Sequence, residues 1–158
     1  MTKIFLAETD KDIEHVKILF EEYFIWRKSE NSISSQELQA FQRQLRELPA
    51  EFAPPRGCLL LAKDGEQLVG CVGLRELSDS VCEMKRLYVT PKFRGRGTGK
   101  DLAKAAVEQA RKIGYACMRI DTSNVVAKAL YASLGFKEIA PYRHNPIKSV
   151  AFMELKLD

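Results

Sequence analysis

The sequence predicts an α/β chain of the α+β kind, with one mixed, mostly antiparallel sheet of about seven strands and helices on both faces. Three observations carry this. Strand-like and helix-like periodicities follow one another in the order β-α-α-β-β-β-α-β-α-β-β. Turn signals, including an Asp64-Gly65 pair, divide the central strands into a meander. Glycines at 114 and 135 close the two later helices, as expected just past a helix end. No repeat, linker or composition shift interrupts the 158 residues, so a single domain over 1–158 is expected.

Taken in order, Ile4 to Ala7 reads as a short strand. Thr9 is placed to cap the next helix, and Asp10 and Asp12 fall in its first turn, where the helix dipole favours acid. Ile13, Val16, Phe20, Tyr23 and Phe24 then recur at spacings of three and four, with the sole tryptophan, Trp26, near the end. Ser29 to Ser35 breaks the pattern, and a second helix from Ser35 to Leu48 puts Leu38, Phe41, Leu45 and Leu48 on one face. After a Pro- and Gly-rich loop come strands Cys58–Ala62, Leu68–Leu74 and Val81–Val89. Lys85 and Arg86 lie in the last of these, so one of its faces is wet or meets an anionic partner. A helix from about Gly97 to Ile113 buries Leu102, Ala106, Ala110 and Ile113. Strand Ala116–Ile120, helix Val125–Leu134 and strands Phe136–Tyr142 and Val150–Leu157 complete the chain, the last two around a His144-Asn145-Pro146 loop.

A hydrophobic fraction of 46% and a charged fraction of 29% are those of an ordinary soluble protein. The net charge of +4 is too mild for a nucleic-acid-binding composition. Cys58, Cys71, Cys82 and Cys117 each fall in an apolar run, without a C-x-x-C pair and with only two histidines in the chain. No zinc or other metal site is expected, and the thiols read as buried and reduced, which suits a cytoplasmic protein. The apolar start ends at Glu8, too early for a signal peptide, and no run approaches membrane-spanning length. Neither a membrane nor nucleic acid is an expected partner; a homodimer is left open.

The most informative stretch is Arg94-Gly95-Arg96-Gly97-Thr98-Gly99-Lys100. Glycines let backbone N–H groups converge, a helix N-terminus adds unpaired donors and positive dipole, and three cations flank the turn; together they suit a phosphate. A P-loop fails here, because Gly99-Lys100 has Arg94 five residues earlier and Asp101 after it. The dinucleotide fingerprint also fails, since the spacing is G-x-G-x-G.

The same stretch resembles the coenzyme A pyrophosphate signature of the Gcn5-related N-acetyltransferases, [Q/R]-x-x-G-x-[G/A], set between a strand and a helix. About thirty residues later, Asn124, Ala127, Leu130-Tyr131 and Leu134-Gly135-Phe136 match a second pattern, N-x-x-A-x-x-L-Y-x-x-L-G-F. The resemblance covers roughly Leu59 to Leu157. It implies the acyl-CoA N-acyltransferase fold, acetyl-CoA as donor and an amine as acceptor. It further implies that N–H groups from Gly95 through Gly97, Thr98 and Gly99 to Lys100 cradle the pyrophosphate, with Arg94 and Arg96 adding charge. Main-chain groups of Leu87 and Val89 would hold the pantetheine arm in a gap between splayed strands, with Asn124 opposite. Tyr131 would be the general acid for the departing thiolate, and the N–H of Val89 or Tyr88 the oxyanion donor.

Glu83 stands eleven residues before Arg94, the spacing of a general-base glutamate in the histone-modifying branch of that family. In a partly desolvated cleft its pKa would be raised toward a base's working range. His144 and water are the alternatives. Asp121, Thr122 and Trp26 are candidates to border the acceptor. The expected acceptor is a small amine or amino-acid-like metabolite, taken by direct attack in a ternary complex. The alternatives are a protein lysine or N-terminal acetyltransferase and a non-catalytic acyl-CoA sensor.

Overall fold

A computed structural model describes residues 1–157; Asp158, the last residue of the expected domain, lies outside the described residues. Seven strands, β1 (Thr2–Leu6), β2 (Cys58–Asp64), β3 (Gln67–Glu76), β4 (Val81–Val89), β5 (Cys117–Thr122), β6 (Lys137–Ile139) and β7 (Ala151–Lys156), form one sheet. Their order is β1-β2-β3-β4-β5-β7-β6. Only the β4–β5 contact is parallel; the other neighbours run antiparallel.

The helices divide between the two faces as the pattern requires. On one face α1 (Asp10–Ser29) and α2 (Ser35–Glu47) bury Val16, Leu19, Phe20 and Phe41 against Leu59, Leu61 and Cys71. On the other, α3 (Thr98–Ile113) and α4 (Val125–Ser133) bury Leu102, Ala106, Ala110 and Tyr131 against Leu60, Leu74, Met84 and Met118. Alternate residues of β2 thus serve opposite cores, the expected behaviour of a strand covered on both sides. Thr9 caps α1 as the sequence indicates, with Asp12 returning the bond to the Thr9 N–H.

Two irregularities in the sheet position everything that follows. The β4–β5 pairing covers only Val81–Glu83 against Cys117–Arg119; beyond it the strands part. Within β4 the register against β3 jumps between Tyr88, opposite Cys71, and Lys85, opposite Gly73. Arg86 takes up the extra residue at φ +63°, left-handed backbone that a non-glycine residue rarely occupies. A bulge bends its strand, and here it turns β4 away from β5. The expected strand Phe136–Tyr142 shortens to Lys137–Ile139. Pro141 cannot donate to a ladder, and Tyr142 and Arg143 are drawn instead to Glu83.

Candidate active site

The donor side is built from backbone. Gly95 and Gly97 sit at φ +79° and +83°, left-handed conformations in which any other residue would be strained. Gly97 is the N-cap of α3 and has no side chain to offer its first turn. The helix ladder begins only with the Asp101 N–H on the Gly97 carbonyl, 3.0 Å, which leaves the Thr98, Gly99 and Lys100 donors outside it. By contrast, α1, α2 and α4 are capped by the side chains of Thr9, Ser34 and Asn124. Three free donors at a positive dipole end are a fit for a phosphate group.

Beside this turn the parted strands form a slot. The Thr90 N–H donates to the Val69 carbonyl of β3, 2.8 Å. Backbone groups alternate sides along a strand, so Leu87 and Val89 turn theirs the other way, into the slot. The same alternation faces the Tyr88 N–H toward β3, which removes it as an oxyanion donor and leaves Val89. Its ring is buried beneath α1. Asn124 lines the opposite wall while its side-chain oxygen accepts from the Ala127 N–H, 2.8 Å, capping α4. Tyr131, 6% exposed, lines the same cleft two turns further along α4. Burial, and then the neighbouring Tyr23 and Asp121, push its hydroxyl far above the usual tyrosine range, so it keeps its proton.

The slot opens into a cleft bordered by Tyr23, Trp26 and Arg27 of α1, Glu37 of α2, Lys85 and Arg86 of β4, and Asp121 at the end of β5. This half is built from charged side chains. Glu37 receives two bonds of 3.0 Å from Arg27 and one of 3.2 Å from Arg86. Asp121 receives Lys85 at 2.9 Å on one oxygen and Arg143 at 3.0 Å on the other. Burial raises the pKa of both acids, but the bound cations outweigh it: Glu37 is held below the usual range, and Asp121 down to about 2.

The Acetyltransferase (GNAT) family profile matches residues 16–136. An uncharacterised N-acetyltransferase of Schizosaccharomyces pombe is 34% identical over 151 residues, spanning 93% of this chain and 90% of that one. The chain belongs to the GNAT acetyltransferase family. The GNAT-family acetyltransferase of Staphylococcus aureus Mu50 has the same fold, with a TM-score of 0.79 at 20% identity over all of both chains. The Thermoplasma acidophilum PaiA N-acetyltransferase, solved with coenzyme A, superposes with a TM-score of 0.73 at 21% identity over 99% of each. This GNAT chain is therefore an acetyl-CoA-using N-acetyltransferase.

Several positions differ from expectation in this GNAT chain. Glu83 is fully buried, with one oxygen bound to the Arg75 guanidinium at 2.8 and 2.9 Å and the other to Tyr142 and Arg143. Burial pushes its carboxyl up, yet Lys85, Arg75 and Arg143 more than reverse this, so its pKa is lowered where a rise was expected. Nor does it line the cleft. His144 is exposed and also outside the lining, whereas its neighbour Asn145 is part of it. Arg94 turns from the phosphate turn toward the cleft mouth. Its Nε donates to the Val89 carbonyl, 2.8 Å, and its guanidinium lies 5.3 Å from the Trp26 ring. Arg96 lies over Phe93 at 5.0 Å. Cys58, Cys71 and Cys82 are buried, but Cys117 is half-exposed beside Glu154, which is ion-paired with Arg119. Burial raises all four thiols, Cys58 to about 11 and Cys82 to about 12, so none is poised as a nucleophile. Among the described residues no cluster of three metal-ligating side chains occurs and no helix is long and apolar enough to cross a membrane. Arg27, Glu37, Tyr142 and Arg143 escaped the sequence reading, since no motif or spacing marks them.

Proposed function

We propose that this N-acetyltransferase moves the acetyl group directly from the thioester to the primary amine of a small, amino-acid-like acceptor, both held at once. The observation that carries this is the continuity of one cleft, which runs from Leu87, Asn124 and Tyr131 to the charged walls of Arg27, Glu37 and Arg86. A narrow recess closed by side chains favours a small acceptor over a folded protein surface.

In this reading the amides of Gly95 to Lys100 hold the pyrophosphate of acetyl-CoA, and Leu87 and Val89 hold its arm with Asn124 opposite. The amine nitrogen bonds to the acetyl carbon, the Val89 N–H receives the charge that develops on the carbonyl oxygen, and the carbon–sulfur bond breaks. Tyr131 gives its proton to the leaving sulfur. With its carboxylate saturated and its pKa lowered, Glu83 acts as a positioning residue that straps the 140–150 loop to β4. The attacking amine loses its proton to cleft water, and water returns a proton to the Tyr131 phenolate, which closes the cycle. The non-catalytic sensor is disfavoured by the presence of the Tyr131 side chain in the wall of the cleft.

Release of free thiol from acetyl-CoA, followed across a panel of amines and pH, tests this. Turnover is expected, with kcat/KM rising with pH through the acceptor's own amine pKa and shifting when the acceptor is changed. Tight acetyl-CoA binding without turnover on any amine would favour the sensor. A fixed ionisation common to all acceptors, and lost in Glu83→Gln, would restore Glu83 as the base.

A further inference from the structure

We infer that the acceptor carries a carboxylate beside its amine, and that Arg86 holds it at the floor of the cleft. This rests on the transferase reading above and deepens it.

Arg27 is saturated: its guanidinium donates to Ser32, Tyr23 and both oxygens of Glu37. Glu37 and Asp121 have cations on both of their oxygens. Arg86 is different. Its Nε donates to Gln44 at 3.3 Å and its Nη1 to Glu37 at 3.2 Å, and among the described residues nothing accepts from Nη2. Yet Arg86 is only 4% exposed and lines the cleft. Its guanidinium lies over Phe41 at 4.7 Å, and its backbone is fixed in the left-handed bulge, so it cannot swing out to water without undoing both. Lys85, next to it, uses one of three donors on Asp121.

The unused ionic capacity in the interior of the cleft therefore lies on its cations, Arg86 and Lys85. Glu30, the remaining acidic residue of the lining, stands exposed at the rim. A buried guanidinium with unused N–H groups on Nη2 is matched by an anionic oxygen, and a carboxylate supplies one together with the opposite charge. A polyamine would bring more cation to a cleft whose interior carboxylates, Glu37 and Asp121, each already carry two cations. The Lys85-Arg86 pair that the sequence marks as facing an anionic partner thus finds one in the acceptor.

The test is thiol release from acetyl-CoA by the wild-type chain with the twenty amino acids, their α-amides, the matching decarboxylated amines and spermidine. For whichever side chain is accepted, the free amino acid should exceed its amide and its decarboxylated amine by about 100-fold in kcat/KM, chiefly through KM. Arg86→Gln should reduce that ratio below about tenfold, and Arg86→Lys should keep part of it, with acetyl-CoA affinity unchanged in both. Equal rates for acids and amides would overturn the carboxylate, and this comparison needs no variant to fold. A preference that survives in Arg86→Gln would overturn the assignment to Arg86. Acetyl-CoA binding with no turnover on any amine would instead overturn the transferase reading, and this inference with it.

Discussion

The two halves of the cleft are made of different material. On the proposed donor side, the groups that would meet acetyl-CoA are N–H groups of the Gly95–Lys100 turn and main-chain groups of Leu87 and Val89, so almost any side chain could surround them. On the acceptor side, seven ionised residues from α1, α2, β4, β5 and the 140–150 loop interlock: Arg27, Glu37, Lys85, Arg86, Asp121, Glu83 and Arg143. Backbone recognition suits a ligand that does not vary, whereas a network of paired charges can be rewired one residue at a time. Under the proposed function, the division puts specificity in the side chains of one half and donor binding in the main chain of the other.

Tyr131 stands where the halves meet, and its replacement should have the largest effect. Tyr131→Phe removes the proposed proton donor while keeping the ring that packs on Phe136 at 5.6 Å. We expect kcat to fall by about 10²- to 10⁴-fold, the usual contribution of a positioned acid. The calorimetric affinity for acetyl-CoA should hardly change, because the donor half is untouched. Unaltered turnover would assign the proton to another group.

Glu83→Gln tests whether the acceptor half is held by its charges. Removing one partner of a buried ionic cluster destabilises by about 3–5 kcal/mol. The lower end is expected, since Arg75 retains Glu51 at 3.1 Å and Arg143 retains Asp121 at 3.0 Å. That is about 6–12 °C in Tm at this chain length. The pH dependence has a definite sign. Glu83, Glu37 and Asp121 all have folded pKa values below their unfolded ones. Their contribution is therefore complete above about pH 5 and lost as pH falls through the folded values, to about 2 for Asp121. Wild-type Tm should decline below about pH 5, and Glu83→Gln should show a shallower decline from a lower plateau.

The sequence made the donor half readable because its information is local. Glycines alternating with cations before a helix, and Asn124 seven residues ahead of Tyr131, lie within single elements. β4 was legible to its ends and α2 to within a residue. The acceptor half was not, because its pairs join residues far apart in the chain: Glu37 with Arg86, Glu83 with Arg143. Nothing local distinguishes a glutamate that will be exposed from one that three cations will surround. Spacing marks Glu83 as a general base, but its ionisation depends on Arg75 across the strand and on a loop sixty residues away. The bulge at Arg86 was equally silent, since left-handed backbone at a non-glycine residue leaves no trace in composition.

A pair of glycine substitutions sharpens the claim that the donor half is backbone. A Cβ at Gly97 would meet no atom within 4 Å, yet φ is +83°; a Cβ at Gly99 would make ordinary contacts of 3.5 Å with Leu130 and 3.7 Å with Val89. Gly97→Ala should raise the Kd for acetyl-CoA about tenfold, the equivalent of the roughly 1–2 kcal/mol that left-handed backbone costs a residue with a Cβ. Gly99→Ala should change it less than threefold. Equal effects would show that crowding, not conformation, governs the turn.

The smallest effect, and the most informative about communication between the halves, concerns Arg94. It belongs by sequence to the phosphate turn, yet its Nε occupies the Val89 carbonyl and its guanidinium lies over both Trp26 and Tyr88, at 5.3 and 5.5 Å. An arm that engages Val89 must compete with it, and a phosphate offers the guanidinium an alternative partner. Exposed cation–π contacts are worth about 0.5–1 kcal/mol, so a transfer between the two partners is nearly balanced. Arg94→Ala should accordingly change the Kd for acetyl-CoA by less than about fivefold, because a lost cation is offset by a freed carbonyl. The optical consequence is larger than the energetic one. Trp26 is the only tryptophan in the chain. Acetyl-CoA should alter its emission in the wild type by drawing Arg94 off the ring, and should leave it nearly unchanged in Arg94→Ala. An equal response in both proteins would mean that Arg94 stays on Trp26, in the acceptor half, when the donor binds.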